Sequence, residues 1–257
     1  MKKNHLAVLS FSALLALLAG SLLLNWLFFR QGKAYYLELN ATRLDPWGSD
    51  FYADGVTSVN SGVARVVFFG DSRAYAWPPL EGLRQFEFVN RGVGAQTTAQ
   101  ISARFQEDVA GLSPAIIIIQ MGINDLKAIP LFPERRDAII AECEANIEAT
   151  VRASRELGAQ VILTTIFPLG DVPLERRLFW SPDVKTGIET VNDYIRSSEG
   201  KGVIILDAAA VLADEQEQVR EEYSVDLLHV SPAGYKALNE ELEHVLAELG
   251  QAAYGVD

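Results

Sequence analysis

The sequence predicts a three-layer α/β/α domain with a central parallel five-stranded sheet, preceded by one N-terminal transmembrane helix. Short apolar runs rich in β-branched residues alternate with longer amphipathic segments, and an almost unbroken apolar stretch lies at the N-terminus. Strands that are apolar on both faces must be covered on both faces. Their regular alternation with helical segments therefore indicates a parallel sheet between two layers of helices.

The individual elements follow from the period of the apolar residues. The five predicted strands are Ala64–Phe69, Phe86–Val89, Ala115–Met121, Val161–Ile166 and Val203–Leu206. Helical spacing predicts helices over Thr97–Val109, Pro133–Leu157 and Ser181–Ser197. A final helix is expected to begin with Ser231 as its N-cap and Pro232 as its first residue. The apolar stripe that would pack this helix on the sheet is Tyr235, Leu238, Leu242, Val245, Leu246 and Leu249.

The N-terminal apolar stretch runs from Leu6 to Phe29, after Lys2 and Lys3. A helix of this length, at about 1.5 Å per residue, crosses a hydrocarbon core of roughly 30 Å. An uncleaved membrane anchor is therefore expected over residues 1–30, with a connecting segment over 31–62 and one domain over 63–257. We expect that domain to lie in the periplasm or outside the cell. A cleaved signal peptide is the alternative, although its apolar region is usually shorter.

Composition narrows the class of partner. The chain has 257 residues, 49% of them hydrophobic, and a formal net charge of −12. Such a charge repels polyphosphate backbones, and no cluster of basic residues opposes it, so nucleic acid is not expected as a partner. Cys143 is the only cysteine, which excludes an intrachain disulfide and a cysteine-based metal site. It lies on an apolar helical stripe, so we expect a buried, inert thiol.

Four polar segments lie where the chain leaves a predicted strand or enters the last helix. They are Phe69-Gly70-Asp71-Ser72, Asn90-Arg91-Gly92-Val93-Gly94-Ala95, Gly122-Ile123-Asn124-Asp125 and Asp226-Leu227-Leu228-His229. In open parallel sheets, ligands bind beyond the carboxyl ends of the strands. We therefore expect these segments to meet at one edge of the sheet and to form a site there.

Taken together and in this order, the segments resemble the motifs of the SGNH (GDSL-like) hydrolase family. The resemblance spans about Val66 to Tyr235, and it implies a flavodoxin-like sheet and hydrolysis of carboxylic esters. It implies that Ser72 is the nucleophile, that His229 is the general base, and that Asp226 orients the imidazole. It also implies that Asn124 donates its side-chain amide to the oxyanion, together with the backbone N–H of Ser72.

One motif departs from the family pattern Asn-x-Gly-x-x-Gly, whose last glycine lends its backbone N–H to the oxyanion. Gly92 matches the first glycine, whereas Ala95 occupies the last position. Alanine keeps the N–H, so Ala95 serves as the third donor if its φ is negative. If the position needs a positive φ, strain on the order of 1 kcal/mol or a shifted loop follows.

Each of these residues also has a plainer interpretation. A serine in a strand-to-helix turn is usually an N-cap, and Asp125 is equally suited to cap a helix. Of the three histidines, His5 and His244 are interpreted as structural or solvated, and His229 alone follows an aspartate by three residues. The joint occurrence of the motifs in order favours the esterase over a turn-forming role for each residue.

The substrate remains open at this point. The resemblance implies neither a metal nor an organic cofactor, and it allows a lipid, a lysophospholipid or an O-acetylated carbohydrate as the ester. An acyltransferase that acts on a polysaccharide with the same triad is the alternative, and a catalytically silent binding module is disfavoured by the intact triad. Candidate lining residues of the substrate groove are Trp77, Leu131, Phe132, Leu174, Leu178, Phe179 and Trp180. The stretch Leu169–Trp180 is equally compatible with a packed surface loop.

Overall fold

A computed structural model describes residues 2–52, 63–200 and 202–254 of the chain. The chain divides into two compact units, Met1–Pro46 and Trp47–Asp257. The first unit is a single helix, and the second contains the sheet.

The first unit is the helix α1 (Lys2–Leu44). Its mean hydropathy reaches 2.3 over 18 residues, and the large apolar side chains described along it are exposed. Inside the apolar stretch, the Asn25 amide donates to the Ser21 carbonyl at 2.8 Å, which reduces the cost of this polar group in an apolar medium. By length and composition, α1 is suited to cross a membrane as an anchor or to act as a signal sequence.

α1 continues beyond the apolar run, through the first part of the predicted connecting segment. The residues from Ala34 to Thr42 include neither glycine nor proline, and the side chains of Asn40 and Thr42 bond to carbonyls one turn earlier. The helix ends at Leu44, shortly before Pro46, because a proline disfavours helical geometry at the residue before it. Residues 53–62 of that segment lie outside the described residues.

The second unit is built on a sheet of five parallel strands. The strands are β1 (Ala64–Gly70), β2 (Phe86–Gly92), β3 (Ile116–Gln120), β4 (Gln160–Thr164) and β5 (Val203–Leu206). Their order across the sheet is β2-β1-β3-β4-β5, which is that of flavodoxin-like folds and confirms the predicted fold class. Gly70 at the end of β1 is level with Gly92 on one side and with Gln120 on the other. The motifs that follow these three strands therefore meet at one edge.

Helices cover both faces of this sheet. In the described ranges, the other α-helices are α2 (Ser72–Tyr75), α3 (Thr98–Ala103), α4 (Phe105–Asp108), α5 (Ile123–Leu126), α6 (Arg136–Glu156), α7 (Asp183–Ser197), α8 (Ala208–Leu212) and α9 (Pro232–Tyr254). Short 3-10 helices are Ser49–Tyr52, Ala110–Leu112, Ile129–Leu131, Pro133–Arg135, Leu174–Phe179 and Glu221–Tyr223.

Alternate residues of β3 belong to two separate hydrophobic cores. Ile117 and Ile119 pack with residues of α6 and α7 on one face. Ile116 and Ile118 pack with α8 and α9 on the other. The predicted stripe of α9 is confirmed, because Tyr235, Leu238, Leu242 and Leu246 are buried in the second core with Val245 and Leu249 at its margin.

The prediction of one helix over Thr97–Val109 was wrong, since α3 and α4 are separated at Arg104. There the backbone has φ −90° and ψ 1°. The Arg104 guanidinium is buried and donates to the carbonyls of Gly70 and Arg91, each at 2.8 Å. The break coincides with these contacts to strand ends, which the apolar period of a helix does not reveal.

Candidate active site

The turn after β1 places Ser72 at the carboxyl edge of the sheet. A Cβ on Gly70 would overlap the Gln120 carbonyl, so glycine permits β1 and β3 to approach closely where they end. Asp71 is buried, and its Oδ1 accepts a hydrogen bond from the Arg73 N–H at 2.8 Å, which caps α2. Ser72 is the first residue of that helix and is half-buried.

Asp226 and His229 lie in the loop before α9 and contact each other. Nδ1 of His229 lies 2.9 Å from Oδ2 of Asp226, while Oδ1 accepts from the N–H groups of Leu228 and His229 at 2.8 Å each. Partial burial opposes ionisation of this carboxyl, but these hydrogen bonds outweigh it and hold the pKa of Asp226 below its usual value. An ionised Asp226 favours the proton on Nδ1, so Nε2 becomes the basic nitrogen.

Among the described residues, one hydrogen bond connects the segments that carry Ser72 and His229. Arg73, the neighbour of Ser72, donates from Nε to the carbonyl of Leu228, the neighbour of His229, at 2.9 Å. Within the described residues, Ser72 Oγ has no hydrogen-bond partner, so the structure brings the two segments together without joining Ser72 to the imidazole. Catalytic hydrogen bonds are often long in a free active site and shorten when substrate binds.

Ala95 has a φ of 64°, so the second motif keeps the left-handed conformation that glycine adopts freely. Alanine occupies it at a cost of about 1–2 kcal/mol. The loop is therefore strained rather than refolded. Neither the Ala95 N–H nor the Ser72 N–H donates a hydrogen bond within the described parts of the chain. Both are available to an external acceptor.

Asn124, in α5 after β3, is buried and donates from Nδ2 to the Gln96 carbonyl at 2.9 Å. A primary amide carries two N–H groups, so one remains for a second acceptor. The bond also fixes the amide relative to the loop that contains Ala95. The neighbouring Asp125 accepts from the Thr98 N–H at 2.9 Å and from the Thr98 hydroxyl at 2.7 Å, which agrees with its interpretation as a cap of α3.

Two buried arginines that sequence reasoning missed hold these loops together. Arg104 donates to the Gln96 side chain at 2.6 Å and pairs with Asp108 at 2.7 Å, in addition to its bonds to Gly70 and Arg91. It therefore joins the ends of β1 and β2 to the loop that carries Ala95. The signal for Arg73 was its position directly after Gly-Asp-Ser. Arg104 carried no signal, because an arginine in an amphipathic helix is expected on the solvent face.

Burial shifts the pKa values of ionisable groups near the site, among them Asp71 and Cys143. Burial raises the pKa of Asp71 to about 6, against the opposing effect of the Arg73 charge. Burial also raises the pKa of the Cys143 thiol, which agrees with the expected inert cysteine. In the described ranges, no group of His, Cys, Asp and Glu side chains is arranged to hold a metal ion.

The predicted groove-lining residues have different fates. The prediction that Trp77 lines the groove was wrong, because its indole lies in the core and donates to Asn239 Oδ1 at 2.7 Å. Leu131 and Phe132 are exposed. In the stretch Leu169–Trp180, Leu174 is exposed and Trp180 packs partly against the first core. The side chains of Leu178 and Phe179 lie outside those that the structure describes.

One protein family matches most of this chain. The model of the "GDSL-like Lipase/Acylhydrolase family" matches residues 58–237. An acetylxylan esterase of Geobacillus stearothermophilus is 32% identical over 82 residues, which is 31% of this chain and 37% of that protein. The chain therefore matches only about a third of the length of this relative.

Solved structures show the same fold. A GDSL-like lipase from Bacteroides thetaiotaomicron superposes with a TM-score of 0.63 at 22% identity, over 79% of this chain and 96% of that one. A catalytic mutant of an acetylxylan esterase from Geobacillus stearothermophilus superposes with a TM-score of 0.57 at 18% identity, over 72% and 95%.

Proposed function

The chain belongs to the GDSL-like lipase/acylhydrolase family of ester-hydrolysing enzymes, and we propose that it is a serine esterase that removes acetyl groups from carbohydrate through Ser72, His229 and Asp226. One observation carries the proposal. The imidazole of His229 is bonded through Nδ1 to Asp226 at the sheet edge where α2 begins with Ser72. Its Nε2 has no hydrogen-bond partner among the described residues.

In the proposed first step, Ser72 Oγ attacks the acyl carbonyl carbon while Nε2 of His229 takes the hydroxyl proton. The Asp226 carboxylate stabilises the imidazolium that forms. The imidazolium then gives its proton to the alkoxide, which leaves as the alcohol and yields an acyl-Ser72 ester. Water attacks this ester with His229 again as the base, and it releases the acid and restores the Ser72 hydroxyl.

Three donors are proposed to stabilise the oxyanion in both steps. They are the N–H groups of Ser72 and Ala95 and the second N–H of the Asn124 amide. The three residues follow the neighbouring strands β1, β2 and β3, so their donors approach one point from different sides. One preorganised donor of this kind accounts for about 10²–10³-fold in kcat.

The alcohol part of the substrate is proposed to be a sugar. Because the leaving oxygen receives its proton from His229, this part lies on the His229 side of the scissile bond. The Gly170 N–H donates to the Leu227 carbonyl at 2.9 Å on that segment. Gly170 also lines a cavity of about 700 Å³, whose walls include neither Ser72 nor His229, so the cavity lies beside the triad. Its walls include Trp180, Lys185 and Glu189. An indole beside paired charges suits a neutral ring that carries hydroxyl groups, and the name of the acetylxylan esterase relative supports the same class.

α1 is proposed to be an uncleaved anchor that holds the domain at the outer side of a membrane. The length and apolarity of the helix support this. Polymeric carbohydrate is accessible in the periplasm or at the cell surface, so the location suits the proposed substrate.

The proposal is tested by turnover of p-nitrophenyl esters from acetate to palmitate and of an acetylated xylo-oligosaccharide. Ser72→Ala and His229→Ala should each lower turnover by at least about 10³-fold, whereas His244→Ala, an exposed histidine of α9, should leave it unchanged. Acetate should be the preferred acyl group, and the oligosaccharide should be deacetylated. Near-wild-type turnover by purified Ser72→Ala would contradict the proposed triad. A preference for palmitate would contradict carbohydrate as the proposed substrate.

The same assay separates hydrolysis from acyl transfer. With p-nitrophenyl acetate and an unacetylated xylo-oligosaccharide present together, a hydrolase releases free acetate. Acetylated oligosaccharide as the main product, measured by mass spectrometry, would show that a sugar hydroxyl replaces water and that the chain is an acyltransferase.

A further inference from the structure

Arg73 lies directly after Ser72, and its side chain is fully buried. The guanidinium donates to the Leu228 carbonyl at 2.9 Å and to the Phe167 carbonyl at 3.1 Å. The carbonyl of Arg73 itself accepts from the Tyr235 hydroxyl at 2.8 Å. Arg73 therefore joins the Ser72 turn to the loop after β4, to the Asp226–His229 segment and to α9.

The surroundings of Arg73 compensate its burial only in part. Its guanidinium lies 5.1 Å from the centroid of the Phe167 ring, and the charge of Asp71 acts on it from beyond ion-pair distance. A guanidinium removed from water is costly unless an anion in contact with it compensates. Arg104 has such an anion in Asp108 at 2.7 Å. For Arg73, no carboxylate in the described part of the chain lies at ion-pair distance. The Arg73 side chain instead donates to two carbonyls in two different loops. It therefore sets the position of those loops relative to each other.

The Asp226–His229 segment has few other attachments to the domain. The side chains of Asp226 and His229 are 54% and 45% exposed, while Leu227 between them is buried. Among the described residues, two hydrogen bonds reach this segment from outside its own loop. They come from the Gly170 N–H to Leu227 and from Arg73 to Leu228. Of these, the bond from Arg73 alone comes from the turn that carries Ser72.

We propose that Arg73 is a positioning residue that holds His229 at the distance from Ser72 that proton transfer requires. The inference rests on the proposed triad. Arg73 is placed to touch neither the substrate nor the proton, and it acts through the Leu228 carbonyl. A displacement of the base by about 1 Å lowers the rate on the order of 10²-fold. The change falls on kcat, because groups that bind the substrate elsewhere stay in place.

The test begins with Arg73→Lys and Arg73→Ala in the full-length, detergent-solubilised protein. Lysine keeps the charge but cannot direct two bonds from one planar group. Both variants should lose about 10²-fold in kcat on p-nitrophenyl acetate, with KM within about threefold. Guanidinium chloride at millimolar concentration should raise the kcat of Arg73→Ala at least about tenfold. The guanidinium ion fits the vacated site and has the same hydrogen-bond donors. A side chain that only supported folding would give no such rescue.

Tyr235→Phe tests the same connection with a smaller change. It keeps the ring in the core and removes the hydroxyl that bonds to the Arg73 carbonyl. We expect kcat to fall about threefold to tenfold with KM unchanged, which is the loss of one neutral hydrogen bond. This variant decides the question if both substitutions of Arg73 prevent folding.

Arg65→Lys is the matched control. Arg65 is also buried and bonds to Glu87 at 2.8 Å and to the Leu112 carbonyl at 2.6 Å, but it lies at the amino end of β1. It should lower the melting temperature and leave kcat within about twofold, because it lies roughly 20 Å from Ser72 along the strand.

Two outcomes overturn the inference, and both differ from failure of the proposed function. Folded Arg73→Lys with wild-type kcat would show that Arg73 does not position the base, and so would unchanged kcat in folded Tyr235→Phe. The triad itself fails if Ser72→Ala, measured in parallel, retains turnover. An inactive Ser72→Ala beside a fully active Arg73→Lys would therefore remove the positioning role alone.

Discussion

Replacing Ala95 by glycine should stabilise the protein without changing its activity greatly. The left-handed conformation at φ 64° costs alanine about 1–2 kcal/mol that glycine does not incur. Glycine also gains freedom in the unfolded chain, which offsets about 0.4–1 kcal/mol of that relief. The Ala95 side chain is exposed, so its loss leaves no cavity. The net gain of about 0–1.6 kcal/mol, with a midpoint near 0.8 kcal/mol, should raise Tm by about 2–3 °C at the midpoint for a domain of this size.

The activity of Ala95→Gly follows from the same backbone geometry. Because the wild-type loop already has a glycine-like φ, the N–H of residue 95 keeps its direction, and kcat/KM should change by less than about tenfold. Thermal unfolding and turnover of p-nitrophenyl acetate measure the two effects on one preparation. Ser113→Gly is the control, since Ser113 is an exposed residue with φ 51° at the amino side of β3. It should raise Tm similarly and leave kcat/KM unchanged.

Two results would refute this reasoning. A fall in Tm on Ala95→Gly would show that residue 95 does not have a positive φ in solution. A rise in kcat of more than about tenfold would show that alanine holds the N–H away from the oxyanion. The natural enzyme would then work with two donors, and slow acyl transfer or binding would become the better description of its role.

Three further predictions concern the oxyanion, the buried carboxyl and the anchor. Asn124→Ala should lower kcat on p-nitrophenyl acetate by about 10²-fold or more, the usual effect of one preorganised donor, and a loss below tenfold would contradict its role. Burial raises the pKa of Asp71 from 3.8 to about 6, so this carboxyl contributes stability at low pH that is lost as the pH rises through about 6. Asp71→Asn keeps an oxygen to cap α2 and should flatten the profile of unfolding free energy against pH between 3.8 and about 6. A urea-unfolding profile that stays unchanged would contradict the pKa shift. Full-length protein should stay with membranes in high salt and be released by detergent, whereas Leu17→Arg combined with Leu18→Arg should weaken insertion by several kcal/mol, about 2.5–3.5 for each arginine at the helix centre. A membrane-free wild-type protein that begins near Ser21 would identify α1 as a cleaved signal instead.

Local patterns were sufficient to predict the sheet and to name candidate site residues. Each strand is an apolar run bounded by polar residues, so the five strands were found from the sequence, with ends within a few residues of those observed. The edge where the motifs meet followed from the parallel sheet alone, because carboxyl ends of parallel strands lie together. The roles of Ser72, Asp226 and His229 came from their resemblance to a known set of motifs.

The sequence left the sign of φ at Ala95 open, and the structure shows that it is positive. A missing glycine shows that either strain or a shifted loop must follow, but both satisfy the local sequence. The hydrogen bond from Asn124 to Gln96 and that from Arg104 to the Gln96 side chain hold the loop from outside. These contacts favour a strained alanine over a shifted loop.

The sequence by itself determined the fold class and the burial of the five strands, because these depend on short-range period and composition. Its motifs named the candidate catalytic residues through their resemblance to a family. Tertiary structure alone decided the burial of Trp77 and Arg73 and the break at Arg104. Arg73 donates to Leu228, which lies 155 residues away in the sequence, and Trp77 donates to Asn239, which lies 162 residues away. A polar group becomes buried when distant segments supply its partners, and no local pattern in the chain records which segments those are.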